Sequence, residues 1–289
     1  MLSEDAFVFA VVSALLSLIV GSFLNVVIHR LPIMMERAWS RECREFDDGT
    51  EPGAADPPIE IPYDLMRPRS RCPSCNHLIT ALENIPVLSY LALRGRCRHC
   101  SARISPRYPL VELLTAILSA ITAYHFGFGP TALGALVLTW GLVALTFIDL
   151  DRMLLPDSIV LPLLWLGLGL NLFEMYTGLH VAVVGAMVGY LVLWVVYHAF
   201  RLLTGKEGMG HGDFKLTAML GAWMGWTALP GIILVSSLVG AICGIVLIGS
   251  RRMTRARPIP FGPFLAAAGW LYLLWGVPIE RAYLGLLLG

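Results

Sequence analysis

Charge is scarce in this chain. Only 14% of its 289 residues are Asp, Glu, Lys or Arg, against 57% hydrophobic residues, and the mean hydropathy is +0.72. That balance excludes a soluble domain of this length. The first apolar run also lacks a basic region ahead of it: Glu4 and Asp5 stand there, and the run is too long for a cleaved signal peptide, so it reads as a retained signal-anchor helix. A net charge of +1 gives no reason to expect a nucleic-acid partner. Internal repeats and mid-bilayer acids, the marks of many ion transporters, are missing as well. Asp149, Asp151 and Asp213 gather instead at the edges of apolar segments.

What the chain does have is apolar sequence long enough to cross a bilayer. Such runs cover residues 7–28, 109–126, 131–148, 158–176, 180–203, 229–249 and 262–284, with a shorter eighth segment at 214–227. Of the 21 Lys and Arg, 12 lie between Arg30 and Arg107, which predicts a cytoplasmic position for that stretch and an outside N-terminus. Counting helices onward puts residues 149–157, 204–213 and 250–261 on the same side, and Arg251, Arg252, Arg255 and Arg257 in the last agree with it. The opposite turns, near Gly127 to Pro130 and Thr177 to Leu179, hold no Lys or Arg. The expected fold is an all-α polytopic membrane protein of about eight transmembrane helices, embedded in membrane lipid, with both termini outside. Residues 1–28 form the first helix, 29–107 a cytoplasmic loop, and 108–289 the membrane core.

The loop divides in two. Asp47 to Pro68 is rich in Pro, Gly and acids, which cannot build a core and predict an irregular excursion. Beyond Arg71 come Cys72-Pro73-Ser74-Cys75 and, 21 residues later, Cys97-Arg98-His99-Cys100. Paired CxxC knuckles bring four thiolates to tetrahedral reach, so residues of about 70–102 are expected to form a small zinc ribbon. Two disulfides are the alternative, disfavoured in a reducing compartment. Four cysteines leave no open ligand position, so such a zinc is structural. His99 is a competing ligand within the second knuckle; Cys43 and Cys243 have no partners at metal spacing.

Two aspartates stand out. Asp149 closes the third apolar run, and Asp213 ends Gly210-His211-Gly212-Asp213 just before the short segment. A carboxylate at the end of a membrane helix is costly to retain, and two on one side can share a proton and a water, the minimum equipment of an aspartic protease. Asp151 would point about 200° away from Asp149 on a continuing helix. Asp157, after the break at Pro156, has a structural task available as a helix N-cap. The glycines at 208, 210 and 212 would weaken a helix and suggest a tight turn or a close backbone approach. Lys215 either snorkels or tunes the charge at Asp213. His125, His180 and His198 read as packing residues.

Together these motifs resemble the type IV prepilin peptidase family, which belongs with the GxGD membrane aspartyl proteases. The resemblance covers nearly the whole chain. It rests on Gly21-Ser22-Phe23-Leu24-Asn25-Val26-Val27-Ile28-His29-Arg30-Leu31-Pro32, the two CxxC pairs and Arg107-Tyr108-Pro109-Leu110-Val111-Glu112-Leu113. The Asp149 to Asp157 segment, the GxGD ending at Asp213, and Pro258-Ile259-Pro260-Phe261-Gly262-Pro263 follow in family order. It implies Asp149 and Asp213 as the catalytic pair, in a multi-pass protein of the bacterial inner membrane with its site facing the cytoplasm. The implied substrates are prepilins and type II secretion pseudopilins, cut after a leader-terminal glycine. Residues 258–263 would pair with extended substrate by strand addition or, alternatively, begin a helix.

The resemblance also implies N-methylation of the new N-terminal residue, usually Phe, from S-adenosylmethionine. No glycine-rich nucleotide fold is present to hold that donor. The candidates are Glu112, one turn inside the second helix, where it could meet a cationic donor, and a polar stripe of Ser22, Asn25 and His29, which equally suits helix packing. Glu112 pairing with Arg107 or another loop arginine is its structural alternative. A peptidase without methyltransferase activity, and a zinc-bearing scaffold or transporter, are the competing functions.

Overall fold

The computed structural model describes residues 2–47, 63–80, 82–206, 209–250 and 259–288. The sequence features at Asp48 to Pro62, Gly208 and Arg251 to Pro258 lie outside these. Within them the regular structure is helical apart from isolated bridges. Helix α1 (Leu2–Asp47) is followed by a 3-10 turn (Leu82–Asn84), α2 (Leu88–Ala92), α3 (Arg107–Phe126), α4 (Pro130–Arg152) and α5 (Asp157–Asn171). Then come α6 (Leu179–Thr204), α7 (His211–Met224), α8 (Leu229–Gly249) and α9 (Gly262–Leu288). Each expected span falls on one of these helices. Among the described residues α1, α3, α4, α6 and α8 are long and apolar enough to cross a membrane, and α5 is a shorter apolar helix. The chain is an all-α polytopic membrane protein.

Two boundaries differ most from expectation: α5 stops at Asn171, short of residue 176, and α1 runs on. The first helix does not stop at residue 28 but runs through Pro32 to Asp47, taking in the start of the supposed excursion. A proline removes one backbone bond. The good helix formers Met34, Met35, Glu36, Arg37 and Ala38 beyond it carry the helix on as an exposed extension.

The chain forms two compact units, residues 14–117 and residues 1–13 with 118–289. In the first, α1 and α3 cross so closely that a Cβ on Gly21 would lie 2.8 Å from the Glu112 Cα. Buried Arg30 donates to the Asp64 carbonyl at 2.9 Å and to that of Pro68, while Arg37 lies 4.3 Å over the Tyr63 ring. The Asp64 carboxylate accepts the Arg67 and Met66 N–H groups, each at 2.6 Å, which hold it below the usual carboxylate range. The chain leaving the excursion is thereby strapped to α1.

Two hairpins of matching design follow. Cys72 N–H bonds the His77 carbonyl, Asn76 N–H the Cys72 carbonyl, and Ile79 N–H the Ser70 carbonyl; Cys97, Ser101 and Ile104 repeat the pattern with Ala102, Cys97 and Gly95. Asn76 and Ser101 share a φ of 58°. This is one knuckle built twice.

In the other unit the short helix α7 occupies the centre. Phe214, Leu216, Met219, Leu220 and Trp223 are fully buried. A 14-residue helix leaves carbonyls unpaired in the membrane interior. Asn171 Nδ2 donates to the Ala222 and Trp223 carbonyls at 2.9 and 3.0 Å, and Trp223 Nε1 donates to the Leu163 carbonyl at 2.8 Å. Helices α6 and α7 meet backbone to backbone, since a Cβ on Gly185 would stand 2.3 Å from the Gly221 carbonyl oxygen. Small residues permit this approach where no hydrophobic effect drives association. Gly185→Leu is therefore expected to destabilise the fold by about 3 kcal/mol or more. Gly178→Ala, with nothing within 4 Å, leaves the thermal midpoint in detergent unchanged.

Candidate active site

Asp149 lies in the last turn of α4 and Asp213 in the first turn of α7; they are 5% and 6% exposed. Helix α4 ends because Met153 adopts a left-handed conformation, its N–H returning to the Asp149 carbonyl at 2.9 Å. The Asp149 Oδ2 accepts the N–H of Gly262, first residue of α9, at 3.0 Å. Both carboxylates thus stand at helix N-termini, where unpaired N–H groups and the helix dipole favour negative charge. Leu155, which lies against both Gly212 and Gly262, brings the turn that carries Asp213 beside the glycine whose N–H holds Asp149.

The glycines of the motif divide in role. A Cβ on Gly212 would lie 2.8 Å from the Leu155 Cβ, and one on Gly262 would lie 2.6 Å from the Asp149 Oδ2 and 3.2 Å from Leu155. Leu155 is packed against both glycines and so links the GxGD turn to the start of α9. Gly210 meets nothing nearer than the Asp213 Oδ2 at 3.8 Å. Asp151 is exposed, as its half-turn offset from Asp149 predicts. Asp157 is not an N-cap. Pro156 holds that position, and Asp157, the first helical residue, accepts Lys215 Nζ at 2.7 Å. Asp157 is pulled to that cation, which makes Lys215 a tie between the starts of α5 and α7. The stretch at Pro258 to Pro263 resolves, from Gly262 onward, as the start of a helix.

In the smaller unit the sulfurs of Cys72, Cys75, Cys97 and Cys100 lie within 4.8 Å of one another, a set that fits a tetrahedral metal ion. The Ser74 and Cys75 N–H groups point at the Cys72 sulfur and hold its thiol well below the ordinary range, at about 6. His99 is outside the cluster; its ring stacks on His77 at 5.0 Å.

Residues 15–126 match the model described as the bacterial peptidase A24 N-terminal domain, and residues 136–245 match that of the type IV leader peptidase family. A prepilin leader peptidase/N-methyltransferase of Aeromonas hydrophila is 63% identical over 93% of this chain and 92% of that protein. Proteins with the same name in Pseudomonas aeruginosa and Stutzerimonas stutzeri are 56% and 55% identical, each over 98% of this chain and 96% of its own length. The chain belongs to the type IV leader peptidase family. No solved structure matches it.

In this leader peptidase family member Glu112 is 8% exposed, and its Oε2 accepts the Val87 N–H at 2.8 Å, with the Ser22 hydroxyl as a further partner. The polar stripe splits. Ser22 meets Glu112, Asn25 donates to the Tyr108 carbonyl at 3.1 Å, and His29 is exposed. Sequence reasoning did not single out Leu155 and Lys215–Asp157 as organisers of the site, nor the Gly262 N–H. The only signal for them was a Gly beside Pro263 and a lysine two residues after Asp213. Gly212→Ala is expected to lower the thermal midpoint by several degrees through its clash with Leu155, whereas Gly210→Ala, meeting only ordinary contact, leaves it nearly unchanged.

Proposed function

We propose that this protein is an intramembrane aspartic endopeptidase and N-methyltransferase. It removes the leader peptide of type IV prepilins and type II secretion pseudopilins after glycine, on the cytoplasmic side of the bacterial inner membrane. The observation that carries the reading is the buried pair Asp149 and Asp213 at the N-termini of α9 and α7, helix starts that share Leu155 as a neighbour. Two buried carboxylates that share one site do not both ionise readily, so in this reading the pair holds one proton between them at working pH. The ionised member takes a proton from water as that water attacks the scissile carbonyl; the protonated member donates to the carbonyl oxygen. The proton then passes to the leaving amine as the C–N bond breaks. The four cysteines would hold a structural zinc that joins the two knuckles and supplies no catalytic step.

The relatives' shared name couples cleavage to N-methylation. S-adenosylmethionine would supply the methyl group, and buried Glu112 is a carboxylate suited to facing its cationic centre while anchoring Val87. The methyl acceptor is the new N-terminal residue, usually Phe.

Asp149→Asn and Asp213→Asn, which keep side-chain volume, should each reduce cleavage of a prepilin with a Gly-Phe junction by 10³-fold or more, read by mass spectrometry at equal protein level. Near-normal cleavage in either variant would remove that residue from the mechanism. Elemental analysis should find one zinc per chain in the wild type and none after Cys75→Ser. Glu112→Gln keeps an oxygen for the Val87 N–H but removes the charge. It is expected to abolish labelled-methyl incorporation and spare cleavage, and retained methylation would exclude Glu112 from donor binding.

A further inference from the structure

The second CxxC hairpin differs from the first in a way that a metal does not explain. Across the bridge of the first hairpin Arg71 faces Leu78; across the second Arg96 faces Arg103. Like charges directly opposite on paired backbone repel. Both arginines are exposed, and they line a cavity of about 460 Å³ together with Tyr90, Arg94, Gly95 and Pro106. The wall is built around a glycine: Gly95 has a φ of +66°, and a Cβ there would lie 2.9 Å from the Tyr90 ring.

The charge in this region is almost all of one sign, and apolar side chains stand exposed in the same stretch. From Leu82 to Arg107 stand five arginines, Arg94, Arg96, Arg98, Arg103 and Arg107, and one acid, Glu83. Glu83 is already engaged, accepting the Thr80 N–H and hydroxyl at 2.9 Å each. Leu82, Ile85, Leu88 and Leu91, spaced three apart, are 75%, 39%, 66% and 64% exposed. Aliphatic side chains left in the open beside guanidinium groups are the pattern of a surface resting on an anionic bilayer. Continuity supports that placement, because Pro106 in the cavity wall directly precedes α3, a candidate membrane span.

We propose that this cavity binds the phosphate of an anionic phospholipid headgroup, with Leu88 and Leu91 seated among the acyl chains. A phosphate between Arg96 and Arg103 turns their repulsion into two charge-assisted contacts. Its consequence is to fix the second knuckle at the membrane surface.

The test uses the full-length protein in nanodiscs of phosphatidylcholine, with and without about 30% phosphatidylglycerol, and follows amide hydrogen exchange over residues 85–106. Phosphatidylglycerol is expected to slow exchange there about tenfold while leaving residues 71–79 unaffected. Arg96→Gln/Arg103→Gln should abolish most of that response, since each arginine near an anionic surface is worth about fivefold. Equal rates in the two lipids, or full protection by inorganic phosphate added to phosphatidylcholine discs, would overturn the proposal. The wild-type comparison between lipids stands even if the double variant does not fold.

Discussion

The hydrogen bond from the Gly262 N–H to the Asp149 carboxylate, 3.0 Å long and buried, joins residues 113 apart in the chain. It does two things at once. It satisfies an N–H at the start of α9 that no helical carbonyl can reach, and it holds the Asp149 carboxylate at the positive end of that helix. A buried carboxylate without such a donor is expensive, and a helix start without such an acceptor is equally so. The end of the bundle that carries the proposed chemistry is organised around this exchange. Asp213 reaches the same neighbourhood because its own helix begins there, with Leu155 packed against Gly212 on one side and Gly262 on the other.

Keeping α7 in place is a packing problem, solved with glycine. A central helix of 14 residues makes its approach to α6 through Gly185, Gly189 and Gly221, where added carbon would strike backbone rather than movable side chains. Its C-terminal carbonyls are taken by Asn171, and the Trp223 indole N–H by Leu163. With its far end capped and its flank locked, the N-terminal turn bearing Asp213 has little freedom left. Lys215, bonded to Asp157, ties that turn to α5. Preorganisation of this kind is what acid–base chemistry by two carboxylates demands, because the proton acceptor and donor must already be aligned when the substrate arrives.

The helices were legible because a membrane span is set by length and apolarity, and α1, α3, α4, α6 and α8 each carry that signal in full while the short α5 and α7 carry its apolar part. The CxxC pairs were equally plain, since metal spacing is local. The run of α1 to Asp47 was not, because a proline and a charged sequence suggest an ending while the helix formers between them sustain the turn. Asp157 looked like a cap because capping is the commonest local task for an acid there, and only the fold brings Lys215, 58 residues away, to its carboxylate. Gly262 was read within a stretch that pairs with substrate or begins a helix, and its bond to Asp149 was not legible because that partner lies in another helix. Local rules found the elements and the two aspartates; contacts across the bundle decided how they are held.

The central claim is that Asp149 and Asp213 form one proton-sharing site. It is tested most directly by the pH dependence of prepilin cleavage under single-turnover conditions in defined lipid. A shared site predicts a bell-shaped rate with two apparent ionisations that belong to the pair. A rate governed by a single ionisation, or one flat across the range in which the protein stays folded, would contradict it.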